Sequence, residues 1–437
     1  MQMETISKID TTELKVSQMA ENLIGSEIIK LAGEVREKMA RGEKVYNFTI
    51  GDFDPKIFPI PAELKQEIIE ALQKDQTNYP PSEGMLELRQ AVSIFLQKKL
   101  HLNYSADEIL IAGGARPIIY SIFQAIVDIG DTVVFPVPSW NNNHYAHLSH
   151  AQQVFVETKP ENNFMPTASE LKPFLSEAAI LALCSPLNPT GTTFTKENLT
   201  EICNLVVEEN KARKIIGRKP LYLMYDQIYC LLIYNNTIHY DPVSLVPEIR
   251  NYTIYVDGIS KSFAATGVRV GWTFGPKRVI DKMKSILGHI GAWSPKAEQV
   301  ATGKYLMNTA AVDRYLSHIK AELSERLNLF FQGFVQLKKE GFPVETIAPQ
   351  AALYLTVKID LSSFKTSSGT SLNNTKAATR YLLEEAKLAI VPFSAFGSEA
   401  SSKWYRISVG TSKKEEIPNV FIDLKAAIQK LIKTEND

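Results

Sequence analysis

The chain has 437 residues, beyond the length at which a single core stops growing, so two domains are expected; its hydrophobic and charged fractions, 45% and 22%, are those of a soluble globular protein. Its 48 basic and 48 acidic residues cancel, and zero formal charge argues against a nucleic-acid partner or an anionic membrane surface. Cys184, Cys203 and Cys230 are few, widely spaced and set among apolar residues, so they read as buried free thiols, not as a disulfide frame or a metal site.

The start, Met1-Gln2-Met3-Glu4-Thr5, has no basic region leading into an apolar one, and no run is long enough to span a bilayer. A cytoplasmic protein without a signal peptide is expected. Residues 1 to about 45 are polar at first and then periodic, with Ile28, Leu31, Ala32 and Val35 predicting a helix that ends near Gly42 after an amino-terminal arm. Residues 46–52 predict a short strand breaking at Gly51, and residues 63–74 a helix carrying Leu64, Ile68, Ala71 and Leu72. The predicted strand 108–112 runs into Gly113-Gly114-Ala115-Arg116 and a helix opened by Pro117 that ends near Gly130; small residues and free amides at a helix start suit an anion. Residues 131–135 predict a strand with Trp140 beyond its far end, an indole flat enough to stack on a ring or to pack under a loop.

The predicted strand 179–184 leads into Ser185-Pro186-Leu187-Asn188-Pro189-Thr190-Gly191, a turn signal that puts an asparagine at the sheet edge. Residues 211–219 are basic and read as a solvated loop before the next strand. That strand, 220–226, closes with Asp226, and Tyr229 follows. After the apolar run 253–257 come Ser260, Lys261 and Arg269. From residue 312 to 339, Leu316, Ile319, Leu323, Leu327, Phe331, Phe334 and Leu337 keep helical register over an unusual length. Strands are predicted at 352–357, 388–392 and 404–409, with a mobile surface loop over the Ser, Thr and Gly-rich 362–371. A closing helix carries Ile422, Leu424, Ile428 and Leu431.

In open α/β sheets, ligands bind at the carboxyl edge of the strands. A lysine amine held there beside a second cation has a lowered pKa and can attack a carbonyl to form a Schiff base. Arg269 offers a fork suited to a phosphate. An aldehyde and a phosphate together suggest pyridoxal phosphate. A buried Asp226 needs a partner, and a pyridinium nitrogen would be one; kept protonated, the ring accepts the electrons of a substrate carbanion. Tyr229, three residues on, could hydrogen-bond the ring's phenolic oxygen.

Asn188-Pro189-Thr190-Gly191, Asp226 with Tyr229, Ser260-Lys261 and Thr266-Gly267-Val268-Arg269 resemble, in order and spacing, the class I/II aminotransferases, pyridoxal-phosphate enzymes of the aspartate aminotransferase fold (fold type I). The likeness extends from about Tyr46 to Ser408. It implies an α/β fold: a large domain with a mostly parallel central sheet flanked by helices, plus a smaller α+β domain formed by both chain ends. Residues 1–50 would be the arm and part of the small domain, 51–310 the cofactor-binding domain and 311–437 the rest of the small one.

The resemblance implies that Lys261 anchors pyridoxal 5′-phosphate and serves as general acid and base, and that Gly114, Ala115, Arg116, Ser260 and Arg269 surround the phosphate. Tyr79, in a Tyr-x-x-x-x-Gly segment, would reach that phosphate in a neighbouring subunit, giving a homodimer with a shared active site. Trp140 would stack on the cofactor, and Gly51, Asn188 and Arg406 would hold the substrate α-carboxylate. Family members usually carry lysine where Arg116 stands, and in one bacterial branch of aspartate aminotransferases that lysine contacts the distal carboxylate of the substrate. Arg116 and the Pro117 after it depart from the pattern, and Arg116 is expected to read a dicarboxylate. The implied reaction is ping-pong transfer of an amino group from an aspartate-like L-amino acid to a 2-oxo acid such as 2-oxoglutarate, with no metal. A carbon–sulfur lyase on the same fold would use the same residues. A non-catalytic regulator would need a DNA-binding segment that the sequence does not show.

Overall fold

Apolar runs without alternation, such as Ala178–Cys184, can be buried only where both faces of a sheet are covered. In the computed structural model, which describes residues 14–23, 25 and 27–434, seven strands form one sheet. They are β1 (Ile109–Ala112), β2 (Thr132–Val137), β3 (Gln152–Glu157), β4 (Ala178–Cys184), β5 (Tyr222–Asp226), β6 (Thr253–Gly258) and β7 (Gly271–Phe274). Their order is β1-β7-β6-β5-β4-β2-β3. Neighbours from β6 to β3 run parallel, whereas β7 is antiparallel to both β1 and β6. Six strands therefore end at one edge, and β7, running backwards, begins there.

Side chains alternate between two cores with the two-residue period of a strand. Leu181, Leu183, Leu223 and Tyr225 pack on one face against helices Leu86–Leu100, Lys196–Ile215 and Lys296–Met307. Ile180, Ala182 and Met224 pack on the other against Ala115–Ile126 and Lys277–His289. A second sheet has the order β10-β11-β9-β8, with β8 (Val344–Thr346), β9 (Tyr354–Ile359), β10 (Val391–Pro392) and β11 (Trp404–Ser408), all antiparallel. The helix Thr309–Lys339 joins the two bodies: Ala311, Val312 and Leu316 belong to the first core, and Ile319, Leu323, Leu327, Phe330 and Phe334 to the second. Among the described residues no helix is long and apolar enough to cross a membrane.

Several expectations need correction. The strand 46–52 is only Tyr46–Asn47, paired with Leu388–Ala389, because the Thr49 and Gly51 carbonyls are taken by the side chains of Arg406 and Lys261. The strand 388–392 is split at Ile390, its first half pairing with Tyr46–Asn47 and its second with β11. Residues 211–215 are not loop but the last turn of Lys196–Ile215. Arg213 is buried there, bonded to Glu209 at 2.6 Å and donating to the Leu175, Ser176 and Lys219 carbonyls. The helix after Gly114 ends at Ile126, before Gly130. Phe330 rather than Phe331 fills the core position, and Ile422 and Leu72 face outward. The loop 362–371 carries a short strand, Phe364–Lys365, paired with Ile432–Lys433. Residues 1–13 of the expected arm, and the side chain of Ile28 in the helix Glu27–Ala40, lie outside the described residues.

Candidate active site

β6 ends at Gly258 and turns directly into Ile259–Ser262, one helical turn that projects Lys261 from the sheet edge. Lys261 Nζ donates to the Gly51 carbonyl at 2.6 Å. Burial pushes the amine down to about 8; Asp52 opposes the shift, and Arg406, Arg116 and Arg269 add to it. At neutral pH a usable fraction of the amine is therefore uncharged, the form that attacks carbonyls.

Arg269 precedes β7, and because β7 runs backwards this puts it at the same edge. Its guanidinium donates to the Thr266 and Gly113 carbonyls at 2.7 and 2.6 Å. Gly114 lies against it, with φ of +94°, and a Cβ there would overlap the guanidinium. Only glycine suits both the left-handed backbone and the close approach. Gly114→Ala is expected to cost about 1–3 kcal/mol of stability, read by urea denaturation. An unchanged midpoint would mean that neither the backbone angle nor Arg269 constrains this position.

Ala115 and Arg116 open the helix Ala115–Ile126, where free amides favour an anion. Arg116 turns its guanidinium onto the Trp140 ring, 4.7 Å from the centroid. Asp226 ends β5. Its Oδ1 accepts from the Ile228 amide at 3.1 Å, and burial pushes the carboxyl up to about 6 with no cation drawing it back. Tyr229 is buried, its hydroxyl 2.7 Å from that of Tyr354.

Arg406, on β11, is 2% exposed. It donates to Asn188 Oδ1 at 3.0 Å and to the Thr49 carbonyl at 2.6 Å, leaving Nε unpartnered. It thus spans the two sheets. A Cβ on Gly51 would stand 2.8 Å from the Tyr354 hydroxyl and 3.4 Å from Arg406 Nη1, so the missing side chain is what keeps the approach to Arg406 open. Gly51, Ala115, Arg116, Trp140, Asn188, Asp226, Tyr229, Ser260, Lys261, Arg269 and Arg406 all border one cavity of about 920 Å³.

A family model described as aminotransferase class I and II matches residues 43–421. The chain belongs to that family. Relatives of this aminotransferase include an aspartate aminotransferase of Bacillus sp. (strain YM-2), 28% identical over 91% of this chain and 95% of the relative. A probable aspartate/prephenate aminotransferase of Rickettsia conorii is 31% identical over 84% and 87% of the two chains. Among solved structures, the aspartate aminotransferase from Rhizobium meliloti matches with a TM-score of 0.86 and 25% identity over 96% of this chain and all of its own. That from Thermus thermophilus with maleate matches with 0.83 and 25% over 94% and 99%. The α/β fold with its mostly parallel sheet is theirs, and the protein is a transaminase of a family that works with pyridoxal phosphate.

Tyr79 is not in the aminotransferase cavity of its own chain; it is 82% exposed, its ring edge-on to Trp293 at 5.2 Å. The cavity also holds residues that the sequence reading passed over: Tyr354, Asp52, Thr49 and His144. Tyr354 lies in a strand run buried without alternation from Tyr354 to Val357, where period alone gives no reason to single one out. Asp52 was visible as the carboxylate at a broken strand. Its role near Lys261 depends on residues 49–52 leaving the sheet, which no local pattern announces.

Proposed function

We propose that this aminotransferase carries pyridoxal 5′-phosphate on Lys261 and moves the amino group of an L-amino acid, aspartate first, to a 2-oxo acid such as 2-oxoglutarate in two half-reactions. The observation that carries the reading is one cavity holding a lysine amine of lowered pKa and a buried carboxylate without a cation. A phosphorylated aromatic aldehyde with a protonatable ring nitrogen fits both, and Arg269 beside the Gly114 turn suits its phosphate.

When bound, the cofactor supplies an electron sink for the pair released at the substrate Cα. Asp226 holds a proton on the ring nitrogen. Tyr229 donates to the ring oxygen, and Trp140 covers the ring face. Arg269, Ser260, Ala115 and the Gly114 turn hold the phosphate, with Tyr79 of a second subunit. Lys261 would hold the cofactor aldehyde, and its amine, when free, would carry a proton between the substrate Cα and the cofactor C4′. Arg406 takes the α-carboxylate with Asn188 and Gly51 beside it; its place on the cavity wall and its bonds to Asn188 and Thr49 support that use.

Arg116, held on Trp140 at the cavity wall, is assigned to a side-chain carboxylate, and the relatives named for aspartate support it. An exposed Tyr79 against Trp293 supports a homodimer that completes the site. The helix Thr309–Lys339, shared between two cores, supports a domain boundary near residue 310, with residues before 50 joining the smaller part. Three free cysteines support a reducing, cytoplasmic compartment.

A donor screen tests the reaction. Aspartate alone should change the absorbance of the bound cofactor and release one oxo acid per site, and 2-oxoglutarate alone should then restore it. Failure of either half to run by itself would sink the ping-pong reading, and pyruvate with ammonia as products would mark a lyase.

A further inference from the structure

Tyr354 opens β9 and has none of the roles above. It is 1% exposed, and its hydroxyl lies 2.7 Å from that of Tyr229. The rings meet edge-on, 5.6 Å between centroids, and the Arg406 guanidinium lies over the Tyr354 ring at 4.7 Å. The same hydroxyl is what a side chain at Gly51 would strike. One buried phenol on the second sheet therefore touches the tyrosine that follows β5 of the first sheet, the arginine assigned to the substrate, and the segment whose carbonyl holds Lys261.

We propose that Tyr354 is a positioning residue for amino transfer: its hydroxyl donates to Tyr229, fixes the direction of the Tyr229 proton, and so sets how strongly Tyr229 donates to the cofactor's ring oxygen. The inference rests on the pyridoxal phosphate site proposed above. A phenol has one proton. Once that of Tyr229 points to the ring oxygen, the proton between the two hydroxyls belongs to Tyr354. A hydroxyl that accepts a hydrogen bond becomes a stronger donor. Arg406 favours this direction, because its guanidinium lies over the Tyr354 ring and counters the rise that burial causes in that phenol. Cys184, Asp226 and Asp52 are the other titratable groups that face the pair. All are retained in the variants below and cancel in the comparison.

Tyr354→Phe keeps the ring under Arg406 and removes only the hydroxyl. In the holoenzyme, the pH midpoint of the visible absorbance of bound pyridoxal phosphate is expected to rise by about half a unit to one unit, the size of one neutral hydrogen bond. A ring oxygen given a weaker hydrogen bond keeps its charge and holds the neighbouring proton to higher pH. KM for the amino donor should stay within about twofold while kcat falls about three- to tenfold. In a Tyr229→Phe background the same substitution should move the midpoint no further, since Tyr354 acts through that hydroxyl alone. Replacement of Tyr354 by 3-fluorotyrosine, a more acidic donor, should move the midpoint down, and gives the answer even if the phenylalanine variant misfolds. A midpoint that neither substitution moves, or an equal shift in both backgrounds, overturns the role of Tyr354 and leaves the cofactor site standing. Wild-type protein without any pyridoxal-phosphate absorbance overturns both readings.

Discussion

Lys261→Ala is expected to abolish the visible band formed with pyridoxal phosphate and to lower transamination by about 10⁴-fold or more, since it removes the proposed covalent anchor and proton carrier at once. The same substitution should not destabilise the free protein. The Lys261 amine drops from an ordinary 10.5 to about 8 on folding. Between those values the unfolded chain binds a proton that the folded chain does not, so stability rises with pH from about 8 to about 10.5; below about 8 the whole cost of burying the cation is present, up to roughly 3 kcal/mol. Urea denaturation of cofactor-free wild type should therefore show this alkaline rise. The alanine variant should lack it and be no less stable at pH 7. A variant that keeps the band, or that loses stability by several kcal/mol, contradicts the assignment.

Asp226→Asn should weaken transamination by about 30-fold to several thousandfold, the effect of removing one member of a buried charge pair worth about 2–5 kcal/mol. Asparagine cannot hold a proton on the ring nitrogen, and the sink for the substrate electrons weakens with it. Here too the cofactor-free protein responds in the opposite sense. Burial raises Asp226 from 3.8 to about 6, so the folded chain binds the extra proton between those values. Stability falls as pH rises through that window, and above about 6 the full cost of the buried carboxylate is felt, on the order of 3 kcal/mol. Asp226→Asn should remove that acid-side slope and stabilise the free protein at pH 7 while its kcat drops. Unchanged activity would show that another group charges the ring.

Both replacements are expected to oppose stability to function, as for residues kept for what they meet and not for how they pack. Such residues also stand out in the sequence, and the structure brings these two to one cavity. A polar residue closing an apolar strand, as Asp226 closes β5, breaks the local pattern, and so does Lys261 one turn past β6. The parallel sheet was legible for the complementary reason: unbroken runs such as Ala178–Cys184 leave no solvent face. What stayed hidden depended on distant partners. The backward direction of β7, which brings Arg269 to the common edge, follows from its pairing with Ile109–Ala112, far away in the chain. The early end of the Tyr46–Asn47 strand follows from two side chains that claim the Thr49 and Gly51 carbonyls beyond it. Lys211 to Ile215 stayed helical because Glu209 and three carbonyls hold Arg213, partners that a count of basic residues does not reveal.

The cavity at the edge of the seven-stranded sheet is thus the least comfortable part of the cofactor-free protein, holding an amine that burial and three arginines disfavour as a cation and a carboxylate with no cation to draw its proton off. A vitamin-derived ligand present at a hundred times its dissociation constant would add about 2.7 kcal/mol to the folded form. Cellular proteases sample whatever unfolds, so such a difference alters abundance several-fold. Under vitamin scarcity the pool of this enzyme should shrink as well as stall, its turnover in the cell tracking cofactor supply.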